Sequence, residues 1–245
     1  MSEKGVLENI DCAILAGGAG TRLKDAVPGI PKPLAPVCGR PFISFILDDL
    51  ALAGCSRAVL CVGRDAEPFE AALGGSSWNG MELVFSTESC PLDTGGAVVN
   101  ALPCLRSETI MVLNGDSICR SGYGGLASMH REKKSTATLL LARVEDASRF
   151  GRVVIGAKEE IIMFHEKTPF LHGSCLVSAG VYLIDRGWLV GVPQRTKLSF
   201  EREMFPRLIG KGLFGCETGS PFLDIGTPES YGRAESFLAS QGGVV

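Results

Sequence analysis

The sequence predicts an α/β protein with a mixed, mostly parallel central sheet flanked by helices and antiparallel additions over one edge. Three observations carry the prediction. Apolar runs of strand length alternate with runs of helical period through the first half. A glycine-rich run directly follows the first apolar run. The second half changes to strand-like runs with few helices between them.

The first strand is expected at Cys12–Ala16, an apolar stretch short enough to be buried on both faces. Phe42–Ala53 has the length and period of a helix and stops at Gly54. A strand follows at Ala58–Gly63, a short helix at Glu67–Leu73 and another strand at Leu83–Thr87. Ala97–Leu102 reads as helical, and the strand Thr109–Leu113 leads into Asn114-Gly-Asp116. Beyond it, Thr136–Val144, Arg152–Ile155, Glu160–His165 and Val177–Leu183 are strand-like. Ser199–Leu208 and Pro228–Ala239 are expected as helices, each opened by a residue suited to a first turn. Ser240–Val245 is a tail expected to fray.

Composition narrows the function classes. A chain of 245 residues, 45% hydrophobic, suits one large domain with a sizeable core. A net charge of −3 without a basic block argues against nucleic acid as a partner. No apolar run approaches the ~18 residues of a membrane span, and Met-Ser-Glu-Lys-Gly lacks the pattern of a signal peptide. The cytoplasm is therefore the expected location. The nine cysteines are scattered, odd in number and free of Cys-x-x-Cys pairs, which points to reduced, buried thiols. The three histidines form no ligand set for zinc. Nothing in the sequence displays an oligomeric state; a homodimer is the commonest assembly and the default expectation.

The run Leu15-Ala-Gly-Gly-Ala-Gly-Thr-Arg-Leu23 is the most informative segment. Glycines 17, 18 and 20 let backbone N–H groups approach an anion closely, because no Cβ intervenes. Arg22, and Lys32 within Pro31-Lys-Pro33, add fixed cations. The spacing matches neither a Walker A motif nor Gly-x-Gly-x-x-Gly, whose third glycine would fall on Leu23. Strand, glycine loop and cations together imply a nucleoside triphosphate site. In open α/β sheets ligands bind beyond the carboxyl ends of the strands, so the loop and Asp116 are expected at one edge.

LAGGAGTRL at 15–23 with PKPL at 31–34 resembles the signature of the sugar-1-phosphate nucleotidyltransferases, the nucleotide-sugar pyrophosphorylases. Further similarities follow in order: PLDTGGA at 91–97, NGD at 114–116, FGRV at 150–153, EK at 166–167, SAGVYLI at 178–184 and DIGTPESY at 224–231. DTGGA with Ser-Phe-Glu at 199–201 and the late DIGTPESY is most similar to the D-glycero-α-D-manno-heptose 1-phosphate guanylyltransferase branch. The resemblance implies a Rossmann-like nucleotide-diphospho-sugar transferase fold forming one catalytic domain over 1–245. About 1–135 would bind nucleotide and about 136–240 sugar, with no C-terminal β-helix.

It also implies a reaction: Mg²⁺-dependent transfer of GMP from GTP to the heptose 1-phosphate, or a 6-deoxy relative, giving GDP-heptose and pyrophosphate for bacterial surface polysaccharide. Mannose 1-phosphate, or a hexose 1-phosphate with UTP or dTTP, remains open, as does a regulatory subunit that binds nucleotide sugar without catalysis. The nucleophile is a phosphate monoester, already largely ionised at pH 7 because its second pKa is ~6, so no general base is needed. The obstacle is charge repulsion, which demands cations and Mg²⁺.

Roles follow from the same resemblance. Leu15, Ala16, Gly17, Gly18, Gly20 and Thr21 would hold the nucleotide, and Arg22 would clamp the β- and γ-phosphates with a bidentate fork. Lys32 would serve the same phosphates as a flexible point charge. Asp116 and Asp224 would hold Mg²⁺, which prefers oxygen ligands. Glu166 would contact sugar hydroxyls and Lys167 the sugar phosphate, while Gly151 and Gly180 would let backbone approach the sugar. Ser178 stands where the family often has Asn. For the base, Glu88 offers an acceptor to the N1–H and N2–H₂ donors of guanine, and Gly95 and Gly96 would bring backbone close to it.

Overall fold

The computed structural model describes residues 4–18, 27–146, 150–165 and 172–240. Strand β1 (Asp11–Leu15) is followed by a two-residue hairpin of β2 (Pro36–Val37) and β3 (Arg40–Pro41), then helix α1 (Phe42–Leu52). Next come β4 (Arg57–Val62), α2 (Glu67–Leu73), the short β5 (Ser77–Trp78), β6 (Met81–Thr87) and α3 (Asp93–Ala101). Strands β7 (Thr109–Asn114) and β8 (Ser117–Cys119) precede α4 (Tyr123–Glu132). The second half holds β9 (Ala137–Asp146), β10 (Arg152–Ile155), β11 (Ile161–His165), β12 (His172–Asp185), α5 (Arg186–Val190), β13 (Leu213–Thr218), β14 (Phe222–Asp224), α6 (Pro228–Gly232) and α7 (Ala234–Ser240). None of the described helices is long and apolar enough to cross a membrane.

Ten strands form one sheet, whose centre is the parallel set β6-β4-β1-β7. The first strand is therefore central, with its neighbours wound outward on both sides. The register pairs Leu15 with Cys61 and with Asn114, so the carboxyl ends of these strands finish together at one edge. Both faces are covered, as the unbroken apolar runs require. Cys12 and Ile14 pack on one side with Phe42, Ile46 and Leu50 of α1, while Ala13 packs on the other with Val98 and Val99 of α3. All nine cysteines are free thiols, six of them buried.

The antiparallel additions grow from β12. Its C-terminal half pairs with β7 through Val181↔Leu113, and its N-terminal half pairs with β10 through Val177↔Arg152. Its pairing with β9 shifts register between Ser178 and Tyr182. That irregularity carries residues 178–182 across the edge where the parallel strands end.

Three expectations need correction. The helix expected at Ala97–Leu102 begins at Asp93, because Thr94 and the glycine pair continue the helical path instead of forming a loop. Ser199–Leu208 is a π-helical turn, Phe200–Met204, followed by a 3-10 turn, Phe205–Leu208; Pro206 at the first turn has no N–H to continue an α-helix. Pro228–Ala239 divides into α6 and α7 after Gly232, a residue of low helix propensity. The second half also holds α5, and α4 just before it; the sequence reading passed over both.

Candidate active site

Lys32 sits in a 3-10 turn, Lys32–Leu34, set between Pro31 and Pro33, whose rings restrict the backbone. The turn closes with Leu34 N–H donating to Pro31 O at 2.8 Å and Ala35 N–H to Lys32 O at 3.0 Å. From this fixed base the Lys32 side chain crosses to the turn after β7, where Nζ donates to Asp116 Oδ2 at 3.4 Å. The lysine side chain is 16% exposed and the aspartate 32%, so the pair is partly shielded from water.

Asp116 owes its place to Gly115. The Gly115 N–H donates to Leu15 O at 2.9 Å, and a Cβ there would stand 2.7 Å from that same oxygen. Only glycine lets the turn after β7 lie against the end of β1. The chain then enters β8, which pairs antiparallel with β14 so that Ser117 faces Asp224. Ile225 N–H donates to Asp116 O at 2.9 Å and locks this register. Asp116, just before β8, and Asp224, at the end of β14, are thus brought close although remote in sequence. Asp224 Oδ1 accepts from Gly226 N–H at 3.0 Å.

Two cavities meet at this point. The larger, about 400 Å³, is lined by Leu15, Ala16, Gly17, Gly18, Lys32, Pro33, Cys61, Glu88, Pro91, Asp93, Thr94, Ala97, Asn114 and Asp116. The smaller, about 200 Å³ and mostly polar, is lined by Lys32, Asn114, Asp116, Ser117, Phe150, Gly151, Ser178, Gly180, Glu201, Phe222, Asp224 and Gly226. Lys32, Asn114 and Asp116 belong to both. The larger cavity opens beyond the carboxyl ends of the parallel strands, and the smaller lies under the antiparallel additions.

Glu88 follows β6 in the larger cavity, where its Oε2 accepts from Leu92 N–H at 3.3 Å. Burial raises its carboxyl pKa above the ordinary value, and the charge of Asp93 adds to the shift. The cavity wall beside it is the start of α3. Asp93 adopts φ +61°, a conformation rare for a residue with a Cβ, and its Oδ1 accepts from Thr94 N–H at 2.8 Å.

Gly95 and Gly96 make their close approach elsewhere. Both are buried, and a Cβ on either would run into Met204 Sδ or Thr196 O. The Gly95 and Gly96 N–H groups donate to Leu198 O at 2.8 and 3.1 Å. The glycine pair thus seats residues 196–204 against α3, and neither glycine is among the residues lining the larger cavity.

In the smaller cavity, Gly180 has φ +71°, and a Cβ there would lie 2.5 Å from Asn114 Nδ2. Its N–H donates to Ser178 Oγ at 3.2 Å. Phe150 and Phe222 meet edge to face at 5.6 Å between centroids and form an apolar wall. Glu201, Asn114 and Phe150 lie in quoted motifs without an expected site role, and Phe222 lies in none. For Asn114 the signal was at hand, since it ends β7 beside Asp116.

The expected site residues Leu15, Ala16, Gly17, Gly18, Lys32, Glu88, Asp116, Gly151, Ser178, Gly180 and Asp224 all line one or both cavities. Gly20, Thr21, Arg22, Glu166 and Lys167 lie outside the described residues. The donor set at the junction is oxygen-rich. Among the described residues no group of three or more His, Cys, Asp and Glu side chains could hold a metal by themselves. Two carboxylates suit Mg²⁺, which fills its remaining positions with water and other oxygen ligands.

Known proteins match this arrangement. The family model described as nucleotidyl transferase matches residues 12–241. A mannose-1-phosphate guanylyltransferase of Mycobacterium tuberculosis is 35% identical over 232 residues, 94% of this chain and 64% of that protein. This chain therefore spans about two-thirds of that relative's length. A D-glycero-alpha-D-manno-heptose 1-phosphate guanylyltransferase of Aneurinibacillus thermoaerophilus is 30% identical, over 94% of this chain and 98% of that one. Among solved structures, HddC from Yersinia pseudotuberculosis superposes with a TM-score of 0.83 at 29% identity, covering 93% of this chain and 98% of HddC. The same protein complexed with GMP-PN gives a TM-score of 0.81. On its sequence, its fold and the site at the carboxyl edge of its sheet, this chain belongs to the nucleotidyl transferase family.

Proposed function

We propose that this protein is a Mg²⁺-dependent sugar-1-phosphate guanylyltransferase that joins GMP from GTP to D-glycero-α-D-manno-heptose 1-phosphate and releases pyrophosphate. The observation that carries the reading is the junction: Lys32 and Asp116 stand where a larger, partly apolar cavity meets a smaller, polar one. A nucleotide in the first and a sugar phosphate in the second would bring the attacking oxygen and the α-phosphorus together there. The guanylyltransferase names of the relatives support GTP as donor.

The chain's own residues supply position and charge. Lys32 offsets the repulsion between the incoming sugar phosphate and the α-phosphate; at an effective dielectric of ~20, one unit-charge pair at 4 Å is worth about 4 kcal/mol. Arg22, which follows β1 in the sequence, is assigned to the leaving pyrophosphate. Asp116 and Asp224 would hold Mg²⁺, which when bound neutralises phosphate charge at this point. Glu88 accepts from the guanine edge. No side chain acts as a base, because the phosphate nucleophile is already anionic.

A second reading keeps the reaction and replaces the heptose with mannose, the sugar named for the relative that is 35% identical. The test is pyrophosphate release across four nucleoside triphosphates and a panel of sugar 1-phosphates with Mg²⁺. GTP with the heptose 1-phosphate is expected to be fastest. GTP with mannose 1-phosphate as the fastest pair favours the second reading, UTP or dTTP overturns both, and no turnover with any pair overturns catalysis.

A further inference from the structure

We propose that Glu201 is a specificity residue that accepts hydrogen bonds from hydroxyls on the sugar ring, and that buried Tyr182 is its positioning residue. The proposal rests on the sugar-1-phosphate reading of the smaller cavity and assigns a determinant within it.

Glu201 enters the cavity from the π-helical turn at Phe200–Met204, far in sequence from β12. Tyr182 Oη donates to Glu201 Oε1 at 3.1 Å, and Ser178 Oγ donates to Tyr182 Oη at 3.4 Å. Gly180 N–H in turn donates to Ser178 Oγ at 3.2 Å. A phenol has one proton to give, so the order of this chain determines its direction. It runs from backbone N–H through Ser178 and Tyr182 and ends on a carboxylate that can only accept. Burial, and then the charge of Glu201, push the Tyr182 phenol well above its usual pKa, so it stays a donor.

The ring of Tyr182 is 2% exposed and wedged against Phe200 and Phe205, with centroids 5.9 and 5.0 Å away. Glu201 is therefore held through its Oε1, while its Oε2 has no partner among the described residues. A third carboxylate beside Asp116 and Asp224 repels a phosphate. Lys32, the one cationic residue lining this cavity among the described residues, is already directed at Asp116. The complementary groups are neutral donors, and a sugar phosphate offers them at the ring positions away from its phosphate.

The segment bearing Glu201 is also tied to the nucleotide side. Phe200 N–H donates to Thr94 Oγ1 at 2.9 Å, and Arg202 Nη2 donates to Asp93 Oδ2 at 2.5 Å. Thr94 and Asp93 both line the larger cavity. The sugar reader is thereby set against the wall of the nucleotide compartment.

The experiment compares wild type, Glu201→Ala, Glu201→Gln and Tyr182→Phe with GTP, the sugar 1-phosphate and its monodeoxy ring analogues. Glu201→Ala is expected to raise KM for the sugar 1-phosphate at least ~10-fold and leave KM for GTP within about 2-fold. One deoxy analogue should cost wild type a similar factor and cost the variant nothing more. Tyr182→Phe keeps the ring packing and should raise the sugar KM about 3- to 10-fold with kcat unchanged. Glu201→Gln, which keeps one acceptor oxygen, should fall between wild type and Ala. Equal changes in both KM values, or equal penalties for every deoxy analogue in wild type and variant, would overturn the proposal. Should wild type turn over no pair, the activity reading fails separately, and calorimetric binding of the sugar 1-phosphate decides this one. Weaker binding to Glu201→Ala supports it; unchanged binding, or none to wild type, overturns it.

Discussion

The Nζ of Lys32 lies 3.4 Å from Oδ2 of Asp116, and this pair stands at the seam between two cavities. The lysine comes from a proline-bracketed turn and the aspartate from the turn after the strand beside β1. Removing the charge should therefore disable chemistry without unfolding the sheet. Lys32→Ala is expected to lower kcat/KM by at least ~10²-fold with an unchanged melting temperature, and Lys32→Arg to recover part of the loss. Pyrophosphate release and a circular dichroism melt check both statements, and a wild-type rate in Lys32→Ala removes it from the mechanism.

Asp116 and Asp224 are brought together by the pairing of β8 with β14. Asp116→Asn and Asp224→Asn should each lower turnover at saturating substrates by about 10²- to 10³-fold. Each should also move half-maximal Mg²⁺ activation to higher concentration. A Mg²⁺ titration identical to wild type in either variant would take that residue out of the metal site.

Glu88 carries a pKa raised first by burial. The proposed role as guanine acceptor needs the ionised form, which is lost as pH falls through that raised value. GTP binding should therefore weaken at a pH above the ordinary carboxylate range, and Glu88→Gln should flatten that limb while reducing the preference for GTP over ATP. The profile of KM for GTP against pH, at a fixed saturating sugar phosphate, is the measurement.

Gly180 combines φ +71° with a position where a Cβ would meet Asn114 Nδ2. Gly180→Ala should cost about 1–3 kcal/mol of stability, because strain and collision add. It should also displace Asn114, which lines both cavities, so activity falls beyond what partial unfolding explains. A urea titration gives the first quantity, and rates at temperatures well below the transition give the second.

Much of the frame was legible from local pattern. The alternation of apolar runs with helical periods located β1, α1, β4, α2, β10 and the core of β12, because each buries its own side chains at its own period. Lys32 and Asp116 were legible too, one by its prolines and the other by its place after a strand. The seat of Gly95 and Gly96 was not, since two glycines before an apolar run look alike whether they face a ligand or a neighbouring segment. The start of β12 was hidden for a related reason: His172, Gly173 and Ser174 carry no apolar pattern, and the strand begins there only by pairing with β9.

The layered α/β class, the glycine-rich run after the first strand and the supply of charged residues can be read from the chain alone. Periodicity, turn chemistry and charge are properties of neighbouring residues, so they can be read along the chain. Only the tertiary structure decided that Lys32 meets Asp116, that Asp224 pairs opposite Ser117, and that Glu201 joins Tyr182 at the polar cavity. Those relations depend on strand register and on which segment packs against which. Both are set by the burial of the whole core, where a shift of one residue along β14 would turn Asp224 to the other face.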